Sequence, residues 1–369
     1  MAFVTFMAMA QNTSLVDQNG TSNNVLLKQI GTTNNATATQ LGIQDNATLT
    51  QTGGTNTAVT AQFFGKVNNA TVFQSNYNNN AELVQGMKAD YYASIAGSHP
   101  ELDFAANYNV GSITQIGGNS NIGELLQLGD GNNGSISTNG SNNEAHVYQG
   151  WAGPWWGEPS VAGNNNTATV KQTYNNNWAG IWQDGSSNVA TLDQNGYSNM
   201  ARISQGYNYS DVPGVPTVYP VQSNQANVIQ DGNSNFLRLF QLGNNNLFKL
   251  KQLGEGNTVG GKDPNNRAEF FQQYGSYNKF TGVYRNNNDL YFDVNANAEQ
   301  NYGATLDTKS IQTGDYNEIG LQQGNGDIAL IKQNGIGNIA VLWQNGGGQD
   351  ATIMQTGGSN TANVLQQNQ

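Results

Sequence analysis

Apolar and polar positions alternate along this chain with a period of two, in short stretches separated by glycine. Written from its first polar anchor, the unit reads N-x-A-x-φ-x-Q-x-G-x-x before the next N, where φ is apolar. A regular run holds Asn177, Ala179, Ile181, Gln183, Gly185, then Asn188, Ala190, Leu192, Gln194, Gly196, then Asn199, Ala201, Ile203, Gln205. Near the C-terminus the unit returns as Asn338, Ala340, Leu342, Gln344, Gly346, then Ala351, Ile353, Gln355, Gly357, then Asn360 to Gln366. A period of two is that of a β-strand, in which every second side chain faces the same way. Each unit therefore predicts a strand of about seven residues closed by a tight turn, with Gly185, Gly196, Gly346 and Gly357 supplying turn backbone that other residues resist. Helix is excluded by the period and by the frequency of Gly and Asn.

The phase is kept from end to end. Gln anchors run from Gln18 to Gln366, with Gln272 among them and Thr138, Tyr284 and Asn295 standing in for Gln. Of the 26 spacings, 17 are 11 residues, three are 12, one is 10 and five contain insertions. Identical units in phase favour a coil over a hairpin meander. Two units make one 22-residue turn, and each strand pairs with the strand two units later, placing like side chains on like at about 4.8 Å. The predicted fold is all-β: a β-solenoid of about thirteen 22-residue coils with two parallel in-register sheets, roughly 60–65 Å long at that rise.

This register makes Asn, Ala, φ and Gln the inward positions. Ala179, Ile181, Ala190, Leu192, Ala201, Ile203, Ala340, Leu342, Ala351 and Ile353 are then core. Each Å² of apolar surface they bury contributes about 25 cal/mol. Inward amides would be costly without partners. A ladder removes that cost, because a primary amide can donate to its copy on one side and accept from its copy on the other. The expected ladder includes Asn177, Gln183, Asn188, Gln194, Asn199, Gln205, Asn338, Gln344, Gln355, Asn360 and Gln366. Lys28, Lys171, Arg202, Arg238, Lys249 and Lys251 fall at outward positions, and the least regular stretch is expected at about 278–311, around Asp293.

The insertions lie near 86–108, 150–165, 206–223, 253–265 and 296–311. The first four hold all seven prolines, which lack the N–H that a sheet needs. Four of the five should leave one edge of the rod, with 253–265 on the other. The aromatic insertion around Trp151, Trp155 and Trp156 reads either as a sugar-stacking or adhesive surface or as a cover for the rod's own flank. Residues 1–11 read as a possible export-signal remnant, with Ala8-Met9-Ala10 before Gln11, or as an N-terminal strand or cap. The remaining 12–369 form the solenoid. Its first and last units are ordinary copies, so both sheet ends are expected to be open to further strands.

Composition narrows the function classes. Asn, Gln and Gly number 58, 34 and 45 of 369 residues, far from an average globular enzyme. Their phased repetition excludes simple disorder. Cys is absent, so no disulfide or thiolate metal site contributes. A net charge of −11 with 14 Lys and Arg argues against nucleic acid as a partner. No apolar run reaches the ~20 residues of a membrane helix. The two histidines, His99 and His146, are not clustered, the carboxylates are scattered, and no catalytic residue, metal site or cofactor is expected.

The unit Gln183-Asp-Gly185-Ser-Ser-Asn188-Val-Ala190-Thr-Leu-Asp-Gln194, and likewise Gln344 through Gln355, resembles the curlin repeat of bacterial curli fibre subunits. The resemblance covers nearly all of 12–366. It implies a secreted protein that assembles head-to-tail with itself into extracellular, cell-surface amyloid fibres for biofilm matrix and adhesion. Other curlin subunits and a curli-type export apparatus are the further partners it suggests. The competing reading is a monomeric β-solenoid binding ice or polysaccharide, for which outward Thr37, Thr39, Thr48, Thr50 and Thr57 are the hint.

Overall fold

A computed structural model describes residues 11–86, 106–150, 163–205, 222–241, 247–253, 258–263, 266–274, 279–282, 304–306, 310–313, 318–322, 328–336, 338–345 and 350–367. Side chains are described for 11–86, 106–150, 163–205, 222–237, 331, 338–342 and 350–366. These residues form strands and turns only, from Thr13–Gln18 to Thr361–Gln367. Successive strands alternate between two sheets of fourteen strands each. Every pairing among them is parallel, and the commonest separation is 22 residues: Trp178–Gln183 lies on Met200–Gln205 with Ala179 opposite Ala201, Ile181 opposite Ile203 and Gln183 opposite Gln205. The chain is a parallel β-solenoid.

Inward alternation builds one core cluster that runs through the coils from Ala36 to Ile353. Ala179, Ile181, Ala190, Leu192, Ala201, Ile203, Ala340 and Leu342 are fully buried, Ile353 nearly so and Ala351 half-buried. A thin core of this kind suits Ala and a single aliphatic per strand, since two facing strands leave room for little more. No proline falls within a described strand, as the ladder requires.

The turns differ from the glycine-only expectation. Gly185, Gly196 and Gly357 do take positive φ, 88°, 145° and 102°; Gly346 lies outside the described residues. At Gly196 the choice is forced, because a Cβ would sit 1.8 Å from the Gly232 carbonyl oxygen on the next coil. A second left-handed residue, however, precedes the anchor Asn in many of the described turns, and it is mostly not glycine: Thr33, Thr55, Ser187 and Ser198 have φ of 57–60°. That conformation costs roughly 1–2 kcal/mol for an L-residue. Thr55, Ser187 and Ser198 are held by hydrogen bonds to the coil before, their N–H groups donating to the carbonyls of Thr32 at 2.9 Å, Asn164 at 2.9 Å and Asn175 at 3.1 Å.

Three sequence expectations change in the second half. The stretch 253–265 is not simply an insertion: Thr258–Asp263 is a strand, with Asp263 opposite Gln241. An Asp in the Gln position hid it. The strand Asn266–Tyr274 places Gln273, and not Gln272, opposite Gln252, after a register shift. Within 296–311, Ala304–Leu306 and Ser310–Thr313 are strands that share one position, both lying between Asn266–Tyr274 and Ile328–Ile336. Asp293 and Asn295 lie outside the described residues, as do residues 1–10 and the tryptophans of the 150–165 insertion. The long connections after Gln85, Gln149, Gln205 and Gly282 each run from a strand of the first sheet to one of the second, and so leave from one edge.

Candidate functional site

The repeated interior is the feature on which function can rest. In the first sheet a glutamine column passes through Gln18, Gln40, Gln62, Gln85, Gln127, Gln149, Gln183 and Gln205, each Nε2 donating to the next Oε1 at 2.7–2.9 Å. The second sheet repeats this from Gln29 through Gln51 and Gln74 to Gln115, and again from Gln172 through Gln194 to Gln230. The other Nε2 proton crosses the core. Gln183 donates to the Thr167 carbonyl at 3.0 Å, Gln194 to Trp178 at 3.0 Å and Gln205 to Val189 at 3.2 Å, so each glutamine also ties one sheet to the other.

Between the two runs of the second sheet stands Thr138, fully buried and too short to reach either neighbour. Its Oγ1 and the Gln172 Oε1 have no hydrogen-bond partner. A buried polar atom left unmatched costs about 1–3 kcal/mol.

The asparagines make the expected amide-on-amide bond at some rungs, Asn56 to Asn34, Asn121 to Asn79, Asn177 to Asn143 and Asn360 to Asn338, but bond chiefly to backbone. The Asn177 Oδ1 accepts the backbone N–H of Asn199 one coil later at 3.0 Å, and the Asn143 Oδ1 accepts that of Asn177 at 3.0 Å. The Asn177 Nδ2 turns to carbonyls, those of Gly196 at 2.8 Å and Thr173 at 3.1 Å, with a 3.2 Å bond to Asn143 Oδ1. Asparagine thus braces the turn of the next coil, while glutamine forms the side-chain ladder. Its shorter stem keeps the amide beside the backbone.

Asn177, Gln183, Asn188, Gln194, Asn199, Gln205 and Asn338 are fully buried or within 1% of it, and Gln355 is 7% exposed. Asn360 and Gln366, on the last coil, are half-buried. Gln344 pairs through its backbone with Gln366, and its side chain is outside the description. Asp45 takes an asparagine place and accepts both the backbone and side-chain N–H of Asn68 on Oδ1. Burial raises its pKa, against the lowering effect of those bonds.

Asp184 follows Gln183 and is buried with neither carboxylate oxygen bonded. Desolvation holds its pKa well above the usual carboxylate range.

The outer face of the first sheet carries a polar cluster that the scattered carboxylates did not suggest. His146 is not an isolated surface residue: Nδ1 lies 2.9 Å from Glu124 and Nε2 2.6 Å from Glu144, and the Tyr148 hydroxyl donates to Glu124 at 2.6 Å. Burial opposes charge on His146, but the two carboxylates outweigh it and raise its pKa; Glu124 is lowered by His146 and Tyr148 despite its own burial. Trp178 and Trp182 stack at 6.1 Å over Gly180, where a Cβ would strike the Trp182 ring, and Arg202 lies 4.4 Å from the Trp182 centroid. The 22-residue period was the available signal, since it aligns Glu124 with His146.

Among the described residues no group of three or more His, Cys, Asp and Glu could hold a metal ion. No described helix is long and apolar enough to cross a membrane.

The family model of the curlin associated repeat matches residues 163–196 and 175–206. Over residues 163–206 the chain is similar to the curlin associated repeat. No curated protein matches the chain.

Proposed function

We propose that this chain is a structural subunit that is secreted by a bacterium and self-assembles head-to-tail into curli-like amyloid fibres of the biofilm matrix, where they serve adhesion. The observation that supports this reading is the translational identity of the coils. Each rung offers the next the same Asn, Ala, aliphatic and Gln, so a rung from another copy meets what an internal rung meets. Core positions on the first and last described rungs are partly exposed: Val16 is 47% exposed, and Val25, Leu27, Ala351, Ala362 and Val364 are half-buried. Open sheet edges of this kind template further strands, and a contact that does not close on itself makes a filament.

The ice-binding alternative needs a flat face of hydroxyls. One outward column of the first sheet runs instead through Thr37, Val59, Glu82, Glu124, His146, Gly180 and Arg202, so threonine gives way on that face after the first coils; the second sheet keeps one hydroxyl column, through Thr48, Thr71, Ser112, Ser135, Thr169 and Thr191.

The purified chain should form thioflavin-binding fibres with reflections near 4.8 and about 10 Å. Replacing Ile181, Leu192 and Ile203 together by Lys should abolish them. Each change loses at least the roughly 2–5 kcal/mol of a large-to-small core substitution, with charge burial added. Soluble monomers of the unmodified chain showing thermal hysteresis would defeat the fibre reading.

A further inference from the structure

A column of anchor side chains, each placed immediately before a second-sheet strand, runs through the described coils from Asn23 to Asn224. Each Oδ1 accepts the backbone N–H of the next member, one coil on, at 2.7–3.1 Å. The other amide atom has an equally fixed task. Nδ2 donates to the carbonyl three residues before the next member: Asn23 to Gly42 at 3.1 Å, Asn68 to Ala106 at 2.6 Å, Asn109 to Gly129 at 2.8 Å, Asn132 to Gly163 at 2.6 Å and Asn166 to Gly185 at 3.0 Å. Asp45 stands in this column between Asn23 and Asn68, and it has no amide to give.

By the same rule the Asp45 Oδ2 belongs at the carbonyl of Gly65, three residues before Asn68. It lies there: a Cβ built on Gly42 would be 2.1 Å from Asp45 Oδ2 and 2.7 Å from the Gly65 oxygen, so both oxygens crowd one point. Oδ2 is buried and has no hydrogen-bond partner. The Asn68 Nδ2 is already engaged with Asp45 Oδ1 and the Ala106 carbonyl. The described strands and turns packed on Asp45 carry three charged side chains, Asp17 and Lys28 on the coil before and Lys66 on the coil after, and all three are exposed. An ionised carboxylate would hold its charge out of water and against a carbonyl oxygen. A protonated one has an O–H to donate.

We propose that Asp45 is a proton-binding site of the solenoid, a neutral carboxylic acid in the folded chain whose Oδ2–H donates to the Gly65 carbonyl. The proton then stands where the neighbouring amides place a hydrogen, and the column continues unbroken. Burial pushes the Asp45 carboxyl in the same direction, upward, against the lowering effect of Asn68. A calcium-like cation gathers about six to eight oxygens, whereas two converge here. Closing this turn is thereby coupled to proton uptake. Below the ordinary aspartate pKa the folded and unfolded chains both hold the proton. As pH rises the unfolded chain releases it first, and the stack weakens until the folded pKa is passed. Acid therefore favours the coiled chain at this rung. The proposal rests on the fold and is independent of the fibre reading.

The test uses the full chain carrying Asp184→Asn, which silences the other buried carboxyl, beside Asp45→Asn made in the same background. Both are labelled with carbon-13 at the aspartate carboxyls, and the infrared difference between the folded chains isolates Asp45. A carboxylic-acid C=O band at pH 5, about one unit above the ordinary aspartate value, is the expected result. A carboxylate stretch from Asp45 at that pH overturns the proposal. In denaturant titrations the two chains should be nearest at pH 3. The Asp45→Asn chain should then pull ahead as pH rises, by up to about tenfold in the folding constant per pH unit. A constant ratio from pH 3 to pH 7 overturns the proposal. So does calcium or sodium that stabilises the Asp45 chain at pH 7 and not the Asp45→Asn chain, since the site would then belong to a cation.

Discussion

Down the first sheet glutamine follows glutamine from Gln18 to Gln205, each amide bonded to the next; down the second the column stops at Thr138 and resumes at Gln172. The outer faces differ too. In the column before each glutamine, the first sheet presents Ala61, Val84, Leu126, Tyr148 and Ser204, which are buried, beside half-buried Thr39 and Trp182, whereas the second presents Thr50, Phe73, Lys171 and Asp193, none of them buried. One repeat has thus produced a sheet with one outward column largely buried and a sheet with that column open. A parallel ladder tolerates a short residue when the rungs above and below stay in register through their backbones, as they do on both sides of Thr138. The penalty is local, confined to the atoms that lose partners.

Gln183→Ala should produce the largest change that separates the sheets. It removes the acceptor of Gln149 and the donor to Gln205 inside an unbroken column, at roughly 1–3 kcal/mol for each group left bare. Thr138→Ala, where no ladder bond exists, should cost far less in the same denaturant titration. Equal losses would mean that the ladder adds nothing beyond packing.

Asp184→Asn tests the enclosed side of the first sheet. Its folded-state pKa is raised, so both states hold the proton at low pH. As pH rises past the unfolded value the unfolded chain releases that proton and the folded chain keeps it, and stability falls by up to about 1.4 kcal/mol per pH unit until the folded pKa is passed. The variant should match the parent at pH 3 and exceed it at pH 7; the same pH profile for both would show that Asp184 is not the cause.

Thr138→Gln should join the two runs of the second sheet and raise stability by about 1–2 kcal/mol, through hydrogen bonds to groups now unmatched. A loss would show that the core has closed around threonine. The smallest effect, on the order of 1 kcal/mol, belongs to His146→Gln on the outer face. The parent's His146 contribution is complete below the unfolded histidine pKa and fades as pH rises through the raised folded one. The Glu124 contribution fades as pH falls through its lowered value. The variant should lose the alkaline limb of that window in a thermal-melt series.

Much of this was readable from spacing alone. An 11-residue phase carried by Gln fixes sheet membership, register and core from Gln18 to Gln252. It fails where the anchor changes identity: Asp263 closes a strand without an amide, and Gln272 and Gln273 offer two phases of which backbone pairing selects the second. The asparagine bonds were not legible either, because Asn and Gln share a functional group and differ only in stem length. The left-handed residue before each asparagine left a trace in the recurrent Ser, Thr or Asn at that place, visible in Ser187, Ser198, Thr33 and Asn176.

The glutamine column has one further property. Every bond from Gln18 to Gln205 points the same way, with N–H toward the higher-numbered coil and C=O toward the lower. Aligned amide dipoles add instead of cancelling, and each polarises the next. The glutamine column therefore has an electrical direction along the coil stack, negative toward the Gln18 side and positive toward the Gln205 side.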